Sequence, residues 1–358
     1  MTPRRVAFLL PHFRTGGAER VVLNWIGALD RTRYQPVLML GREEGAFLDL
    51  LPGDVPRIAL GGGRALLRPL RIARALAGHR IDIAYSATSA MNLALLAAPT
   101  RVPRIVSEHT SPGAFRQEMK WPWARALATR FLYRRAAAVA VPTHAIADEL
   151  SAPRVHVLPN PVVRAVPRQV PRRSPDGARL IAAGRLVQAK GFDTLIDAAA
   201  LLAAQGVAFT LAIHGDGPLR DDLQARIDSH SLGTRVALMG QSATLAVAFR
   251  EADLLVSSSR REGFGNVLVE AMAEGLPVLA TRAGGPETFI DHGVNGFLAP
   301  ANDAAALAEA IRALLADLPR RLLVRSAALE TARAYDVSAS TQAFTALLDT
   351  ILTPSTAP

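Results

Sequence analysis

The chain has no cysteine among its 358 residues, and this absence excludes disulfide bonds, thiol nucleophiles and cysteine-bound zinc. No apolar run approaches the ~18 residues that a membrane-spanning helix needs. The apolar run before Pro11 is too short for the core of a signal peptide, and it predicts a first β-strand instead. We therefore expect a cytoplasmic protein.

Lysine is scarce, since only Lys120 and Lys190 occur, and arginine supplies nearly all of the positive charge. Residues 1–170 hold 24 Lys and Arg against 11 Asp and Glu, a net charge of +13, whereas the remainder holds 17 against 20, or −3. A coding bias towards arginine is one explanation of this asymmetry. An anionic membrane surface, an anionic substrate or a nucleic acid are the functional explanations.

Short apolar runs alternate with helical patterns through both halves of the chain, which is typical of a parallel sheet covered by helices on both faces. The predicted strands are RVAFLL, QPVLML, IDIAYSA, RIVSEHT, AAVAVPT, RVHVLPN, ARLIAAGRL, AFTLAIHG, RVALMG, DLLVSSS, PVLATRAG and GFLAP. The predicted helices include GAERVVLNWIGALD, RALLRPLRIARALAGH, FDTLIDAAALLAAQG, PLRDDLQARIDSH, ATLAVAFREA, FGNVLVEAMAEG, DAAALAEAIRALLADL and STQAFTALLDTIL.

Residues 162–177, VVRAVPRQVPRRSPDG, are rich in proline and arginine and have no apolar periodicity, so they predict a linker. The chain is also longer than one hydrophobic core usually serves. We therefore predict an α/β fold of two Rossmann-like, doubly wound parallel-sheet domains. The predicted parts are a first domain (1–164), a linker (165–177), a second domain (178–335) and a helix crossing back to the first domain (336–358). Because ligands bind at the carboxyl ends of parallel strands, we expect the two domains to face each other across a cleft.

Glycines and cations follow several predicted strands. Gly16 and Gly17 separate the first strand from a helix, and a double glycine there suits either a tight turn or an anion held by backbone N–H groups. The loop lacks the G-x-G-x-x-G spacing of a dinucleotide site. Arg185 and Lys190 follow the first strand of the second domain, where two cations beside a helix start suit a diphosphate.

The segment HGDGPLR brings Gly215 and Gly217 after the next strand, and Pro218 suits the first position of a helix. Either plain turns or close approach of the backbone to a ligand explains these glycines. MGQS comes at the end of the following predicted strand, RVALMG. It also has two explanations: a plain turn, or a segment that lines the edge of a base or sugar.

Two glutamates eight positions apart, Glu262 and Glu270, stand out in REGFGNVLVEAMAEGLPVLA. Eight residues advance an α-helix by about 80° beyond two full turns. The two carboxylates can therefore share a broad face only if Glu262 lies in the loop, which Gly263 and Gly265 permit. Asn266 suits a position that caps or lines the helix start. Carboxylates that accept hydrogen bonds from hydroxyl groups are typical of sugar and ribose sites.

The motifs EGFGNVLVEAMAEGLPVLAT, GGPETFIDHGVNGFLAP, AAGRLVQAKG and GDGPL, in this order, resemble the retaining glycosyltransferases of family 4, which have the two-domain GT-B fold. The resemblance is strong in the second half and weaker in the first, where GGAE and SEHT match. It implies transfer of a sugar from a nucleotide-diphosphate donor with retention, without a cofactor and without an obligatory metal. The absence of Asp-x-Asp agrees, since other glycosyltransferases use such a pair to hold a metal on the diphosphate.

The resemblance also implies roles for individual residues. Arg185 and Lys190 would bind the diphosphate and stabilise it as the leaving group, Glu262 would contact the transferred sugar, and Glu270 the ribose. His109 would lie near the reacting sugar. The remaining expected donor contacts, from backbone and glycine positions, are Gly16, Gly17, Gly215, Gly217, Gly263, Phe264, Gly265, Asn266 and Val267. The leaving phosphate would itself deprotonate the acceptor, so that the protein supplies positioning and charge stabilisation.

The acceptor is expected on the basic first domain. Arginines at 64, 68, 71, 74 and 80 lie among leucines, and residues 116–135 mix cations with tryptophan, Phe131 and Tyr133. Basic amphipathic helices with aromatic residues are typical of membrane-surface contacts, although a solvated helix face has the same pattern. We expect a cytoplasmic enzyme, with peripheral contact to anionic lipid, that glycosylates a lipid-linked or saccharide acceptor in surface-glycan synthesis. No nucleic-acid motif is present.

Alternatives remain for the activity. A UDP-sugar is the favoured donor by resemblance, and a GDP-mannose-dependent mannosyltransferase is the first alternative. Nucleotide-sugar 2-epimerases share the fold, and a non-catalytic protein that binds nucleotide sugars is a further alternative, although it would be expected to have lost Arg185, Lys190 or Glu262.

Overall fold

The computed structural model describes residues 2–14, 16–61, 68–109, 122–150, 152–164, 177–242 and 245–353. The chain forms two compact units: the first comprises Met1–Val162 and Val337–Pro358, and the second Val163–Asp336. Most of the predicted linker, residues 165–176, lies outside the described residues. The helix Val337–Leu352 belongs to the first unit.

The first unit contains a parallel sheet that, within the described residues, has seven strands in the order β3-β2-β1-β4-β5-β6-β7. They are β1 (Arg4–Leu10), β2 (Tyr34–Leu40), β3 (Arg57–Ala59), β4 (Ile83–Ser86), β5 (Arg104–Ser107), β6 (Ala138–Val141) and β7 (Val155–Val157). Its helices are α1 (Gly17–Ala28), α2 (Arg68–Gly78), α3 (Ser89–Ala97), α4 (Pro122–Leu132), α5 (His144–Glu149) and, from the end of the chain, α13 (Val337–Leu352).

Strand β1 shows why the first sheet carries helices on both faces. Its residues alternate between two cores, with Val6, Phe8 and Leu10 packed beneath α1 and α13, and Ala7 and Leu9 packed beneath α2 and α3. A strand buried on both sides needs apolar residues at every position, which is the run that the sequence shows.

The second unit repeats this design with strands in the order β10-β9-β8-β11-β12-β13. They are β8 (Ala178–Ala183), β9 (Phe209–His214), β10 (Val236–Gly240), β11 (Leu254–Ser257), β12 (Val278–Thr281) and β13 (Phe297–Ala299). The helices are α6 (Phe192–Ala204), α7 (Arg220–Ser229), α8 (Ala246–Glu251), α9 (Asn266–Ala273), α10 (Ala304–Ala316), α11 (Leu318–Leu323) and α12 (Arg325–Arg333).

The two parallel sheets confirm the predicted fold class, and every predicted strand is present with boundaries shifted by a few residues. Strand β3 was missed because it has only three residues at the sheet edge, two of them exposed. Helices α3, α5, α11 and α12 were also missed. Helix α7 begins at Arg220, so the expectation that Pro218 takes its first position was wrong.

Candidate functional site

The strand order reverses between β8 and β11 in the second unit, since β9 and β10 lie on one side of β8 and β12 and β13 lie beyond β11. Ligands of doubly wound sheets bind at such a switch point, outside the carboxyl ends of the strands. Two loops meet there: residues 184–191 lead from β8 to α6, and residues 258–265 lead from β11 to α9. They carry the predicted Arg185, Lys190 and Glu262.

Lys190 and Glu262 form an ion pair between these loops, from the Lys190 ammonium to Glu262 Oε2. The Ser259 hydroxyl donates to the same carboxylate oxygen at 3.1 Å. Both paired side chains are partly accessible, at 23% for Lys190 and 13% for Glu262. In the part of the chain that the structure describes, Glu262 Oε1 accepts no hydrogen bond, so one carboxylate oxygen is left for another donor.

A close backbone contact holds the two loops together. Gly191 has a left-handed backbone (φ +62°), and a Cβ at this position would lie 2.2 Å from the Ser258 carbonyl oxygen. The Ser258 hydroxyl in turn donates to the Lys190 carbonyl at 3.0 Å. Glycine is therefore required at 191 both by its conformation and by the approach of the neighbouring loop.

Arg260 ties the same loops together, and the sequence analysis did not predict this role. Its guanidinium donates to both Asp193 oxygens at 2.7 Å, to the Gln188 carbonyl at 2.9 Å and to Asn302 at 2.7 Å. Burial acts to raise the pKa of Asp193, but the hydrogen bonds and charge of Arg260 lower it overall. The available signal was an arginine three positions after β11, in a loop of the site.

Arg185 differs from Arg260 in having an exposed side chain. Among the residues that the structure describes, none forms an ion pair with its guanidinium. The switch point therefore holds one cation paired with Glu262 and a second cation available to a ligand.

Helix α9 begins at Asn266, and Glu262 lies in the loop before it, as the spacing of the two glutamates requires. Glu270 lies within the helix, one turn further on. Gly265 (φ +98°) is the N-cap and Asn266 is the first residue of the helix, so of the two expected positions Asn266 lines the helix start and does not cap it. The first N–H groups of α9 carry the positive end of its dipole.

Phe264 contributes only its backbone to the loop surface. Its side chain is buried and packs against Phe289 and Tyr335, with ring centroids 4.8 and 4.9 Å away. Gly263, which precedes it, lies against Gly285, where a Cβ would come within 2.6 Å of the Gly263 carbonyl carbon. Val267, on the first turn of α9, is partly exposed.

Gly215 and Gly217 are explained by backbone packing. A Cβ at Gly215 would lie 1.8 Å from the Gly184 carbonyl oxygen, and one at Gly217 would lie 2.4 Å from that of Leu186. The loop after β9 thus rests directly on the loop that carries Arg185, and only glycine allows this approach.

In the first unit, Gly16 and Gly17 begin α1 after β1. The Glu19 carboxylate folds back over this helix start: a Cβ at Gly16 would lie 2.1 Å from its Oε2. Glu19 is buried, and its Oε1 lies 3.2 Å from His12 Nδ1. The negative charge at the N-terminus of α1 is therefore supplied by the chain itself, which the sequence analysis did not anticipate.

His109 lies just beyond β5, where its Nε2 is 3.1 Å from the Ser107 hydroxyl. Burial lowers the pKa of His109 to about 4, so the ring is neutral at physiological pH. His109, Gly16 and Gly17 belong to the first unit, whereas Arg185, Lys190, Glu262 and Glu270 belong to the second.

Within the residues that the structure describes, no cluster of three or more His, Asp or Glu is arranged to hold a metal ion. No helix in the same part of the chain has the length and apolar character to cross a membrane.

Two family models match the chain in tandem, Glycosyltransferase Family 4 over residues 15–166 and Glycosyl transferases group 1 over residues 164–330. A similar curated protein is the lipopolysaccharide core biosynthesis glycosyltransferase LpsE of Rhizobium meliloti, 37% identical over 142 residues, which cover 40% of this chain and 41% of LpsE. The sulfoquinovosyl transferase SQD2 of Arabidopsis thaliana is 27% identical over 296 residues, covering 76% of this chain and 57% of SQD2. The matches thus span less than two thirds of these relatives.

A crystal structure of HepE from Anabaena, in complex with UDP and glucose, superimposes with a TM-score of 0.80 at 25% sequence identity. The alignment covers 97% of this chain and 100% of HepE. Together with the tandem family matches and the two parallel sheets, this likeness confirms the resemblance seen in the motifs: the chain belongs to glycosyltransferase family 4 and has the GT-B fold.

Proposed function

We propose that this chain is a retaining glycosyltransferase that moves a hexose or N-acetylhexosamine from a UDP-sugar to a lipid-linked or saccharide acceptor in surface-glycan synthesis. The observation that carries the proposal is the meeting of Lys190 and Glu262 at the switch point of the second sheet, beside the N-terminus of α9. This arrangement places a cation, a carboxylate and the positive end of a helix dipole together at one edge.

The diphosphate of the donor would occupy the cationic part of this edge. Lys190 and Arg185 supply two positive charges, and the start of α9 supplies the positive end of its dipole. The charge on the leaving nucleotide rises as its bond to the sugar breaks, so fixed cations stabilise the transition state more than the ground state. This would be the main electrostatic contribution of the protein.

The two glutamates would bind the hydroxyl groups at the ends of the donor. Glu262 has one carboxylate oxygen without a partner in the described structure, and a sugar hydroxyl can donate to it. Glu270 lies one turn inside α9, about 6 Å along the axis from Asn266, where it would accept from the ribose. Gly263 and the α9 backbone would add contacts to sugar and phosphate.

Retention and metal independence are further parts of the proposal, and the same groups would serve both. The leaving phosphate would deprotonate the acceptor on the face from which it departs, with His109 as a neutral hydrogen-bonding group near the reacting sugar. Lys190 and Arg185 would take the place that a divalent cation has on the diphosphate in metal-dependent enzymes. We expect full activity after treatment with EDTA, and loss of activity that Mg²⁺ or Mn²⁺ restores would contradict this.

The acceptor assignment is supported by the names of relatives, which include a lipopolysaccharide core enzyme and a sulfoquinovosyl transferase. It is also supported by the surface of α4 and the turn after it. Leu127, Arg130, Phe131 and Arg134 lie at positions i, i+3, i+4 and i+7, and all four are exposed. Two cations and two apolar side chains on one stripe suit the surface of an anionic membrane. The predicted arginine at 64 and residues 116–121 lie outside the described structure.

The test is calorimetric titration with UDP, GDP and ADP, followed by assays of UDP-glucose and GDP-mannose for nucleotide release. UDP is expected to bind, and at 100 times its Kd it should stabilise the protein by about 2.7 kcal/mol. Preference for GDP would favour the mannosyltransferase alternative, and conversion of a UDP-sugar to its 2-epimer would favour an epimerase. If nucleotide sugars bind but no nucleotide is released with any acceptor, a non-catalytic protein would be favoured.

A further inference from the structure

Beside His109, the first unit buries a carboxylate that the proposed function does not use. Glu108 immediately follows β5 and is only 9% exposed. In the described structure it forms no ion pair with a lysine, arginine or histidine. A buried carboxylate without a cation destabilises the fold unless neutral donors surround it, so its hydrogen-bond partners indicate its role.

Three neutral donors meet this carboxylate. The Tyr133 hydroxyl and the Asn92 amide, the latter at 3.3 Å, donate to Oε1, and the Ser89 hydroxyl donates to Oε2 at 2.9 Å. Ser89 and Asn92 lie on α3, and Tyr133 follows α4. The Glu108 side chain therefore joins the end of β5 to the helices on either side of it.

Asn92 extends the network to the strand ends. Its amide also donates to the Ser107 carbonyl at 2.9 Å, and its carbonyl oxygen accepts from the Ser86 hydroxyl at 2.6 Å. Asn92, Ser86 and Ser107 are all buried. The last residue of β5 is thus held by the same amide that holds Glu108.

Ser107 is also the residue that contacts the His109 ring, through its hydroxyl at 3.1 Å from Nε2. Its carbonyl is therefore fixed by Asn92 while its hydroxyl holds the imidazole. A serine hydroxyl can donate to an imidazole nitrogen or accept from it, so this contact holds the orientation of the ring whichever tautomer is present. Any shift of residues 107–108 would move the ring.

We propose that Glu108 is a positioning residue for sugar transfer: with Asn92 and Tyr133 it locks the turn after β5 so that His109 presents one ring orientation. The proposal rests on the proposed function for the role of His109, but the geometry of the network stands without it. Glu108 itself touches neither substrate nor reacting atoms.

The test is a double-mutant cycle with UDP-glucose, measuring nucleotide release. We expect E108Q and Y133F to lower kcat about tenfold with little change in KM, because placement and not donor binding is lost. H109A is expected to lower kcat further. If Glu108 acts through His109, E108Q should cause little additional loss in the H109A background.

A matched control separates positioning from ordinary stabilisation. Asp349 on α13 also accepts from a tyrosine hydroxyl, that of Tyr34, and it additionally pairs with Arg33. D349N should lower the melting temperature but leave kcat unchanged. The proposal is overturned if E108Q lowers kcat by the same factor in the wild-type and H109A backgrounds, or if D349N lowers kcat as much as E108Q does. Neither result would count against glycosyl transfer itself.

A second measurement needs no ligand. NMR of the imidazole should show one set of sharp His109 ring signals in the wild type and shifted or exchange-broadened signals in E108Q. Unchanged ring signals in folded E108Q would overturn the positioning role. Failure of the wild type to release nucleotide from any donor would instead count against the proposed function, and the NMR result would still decide the role of Glu108.

Discussion

The Lys190 ammonium and the Glu262 carboxylate, 72 residues apart in the chain, form an ion pair at the edge where β8 and β11 end. Each neutralises the other in the absence of ligand, so a diphosphate must compete with Glu262 for Lys190, whereas a sugar hydroxyl can reach the second oxygen of Glu262. The ion pair therefore keeps the site ordered, and it also sets part of the cost of donor binding.

We expect K190A and E262A each to lower nucleotide release at least about 100-fold, because each removes a group that acts on the transition state. The fold should persist, since both side chains are partly accessible. Steady-state kinetics and thermal melting measure the two effects. D197N, which breaks the Arg226–Asp197 pair elsewhere in the second unit, is the control. Transfer that survives both site substitutions would refute the site.

Gly191 should be less tolerant of substitution than another glycine with the same backbone conformation. G206A adds a Cβ at φ +73° with nothing within 4 Å, and the left-handed backbone alone should cost about 1 kcal/mol. G191A adds the clash with the Ser258 carbonyl and should cost a further ~1–3 kcal/mol. Urea denaturation compares the two, and equal losses would contradict the close loop contact. Donor affinity should fall in G191A only.

Stability should fall in acid through His109. Its folded pKa is about 4, against ~6.5 for an unperturbed histidine. Between these values the unfolded chain binds more protons than the folded protein, so the free energy of unfolding decreases as the pH falls through this window. H109Q lacks this dependence. Urea midpoints at about pH 7 and about pH 4.5 should therefore diverge more for the wild type than for H109Q, and parallel losses would argue against a depressed pKa.

The C-terminal helix should be essential to the first unit. Phe344 on α13 is fully buried and stacks on Trp25 at 4.4 Å between ring centroids, while the Trp25 indole donates to Ser340 at 3.1 Å. F344A should cost about 3–5 kcal/mol. L323A, at a side chain that is 74% exposed on α11, should change stability little. A small effect of F344A in calorimetry would mean that α13 contributes little to this core.

Membrane contact should depend on the exposed stripe of α4. Phe131 and Leu127 are 59% and 50% exposed, and L127S/F131S should weaken flotation with phosphatidylglycerol vesicles about tenfold at low salt. L50S, at a leucine of similar exposure on a short helical turn of the same unit, is the control. Vesicles of phosphatidylcholine alone should bind the protein less. Equal binding to both lipids would remove the membrane part of the proposal.

Much of the architecture was predictable because apolar runs bounded by glycine and proline specify buried parallel strands. The missed elements carry weaker signals: β3 has three residues at an edge, and the apolar residues of α3 fit a strand as well as a helix. Of the two positions expected for Asn266, it lines the start of α9 and does not cap it, because Gly265, with a positive φ, takes the N-cap position. Propensity identified the helix but not its first residue.

The sequence by itself determined the fold class, the family and the residue types of the site, since local periodicity and motif spacing depend only on neighbouring residues. The tertiary structure decided which groups meet: Lys190 with Glu262, Arg260 with Asp193, and Glu108 with Asn92 and Tyr133. These contacts join segments from 16 to 72 residues apart. The crossover connections of a parallel sheet bring such segments to one edge. No local sequence pattern specifies which segments meet there.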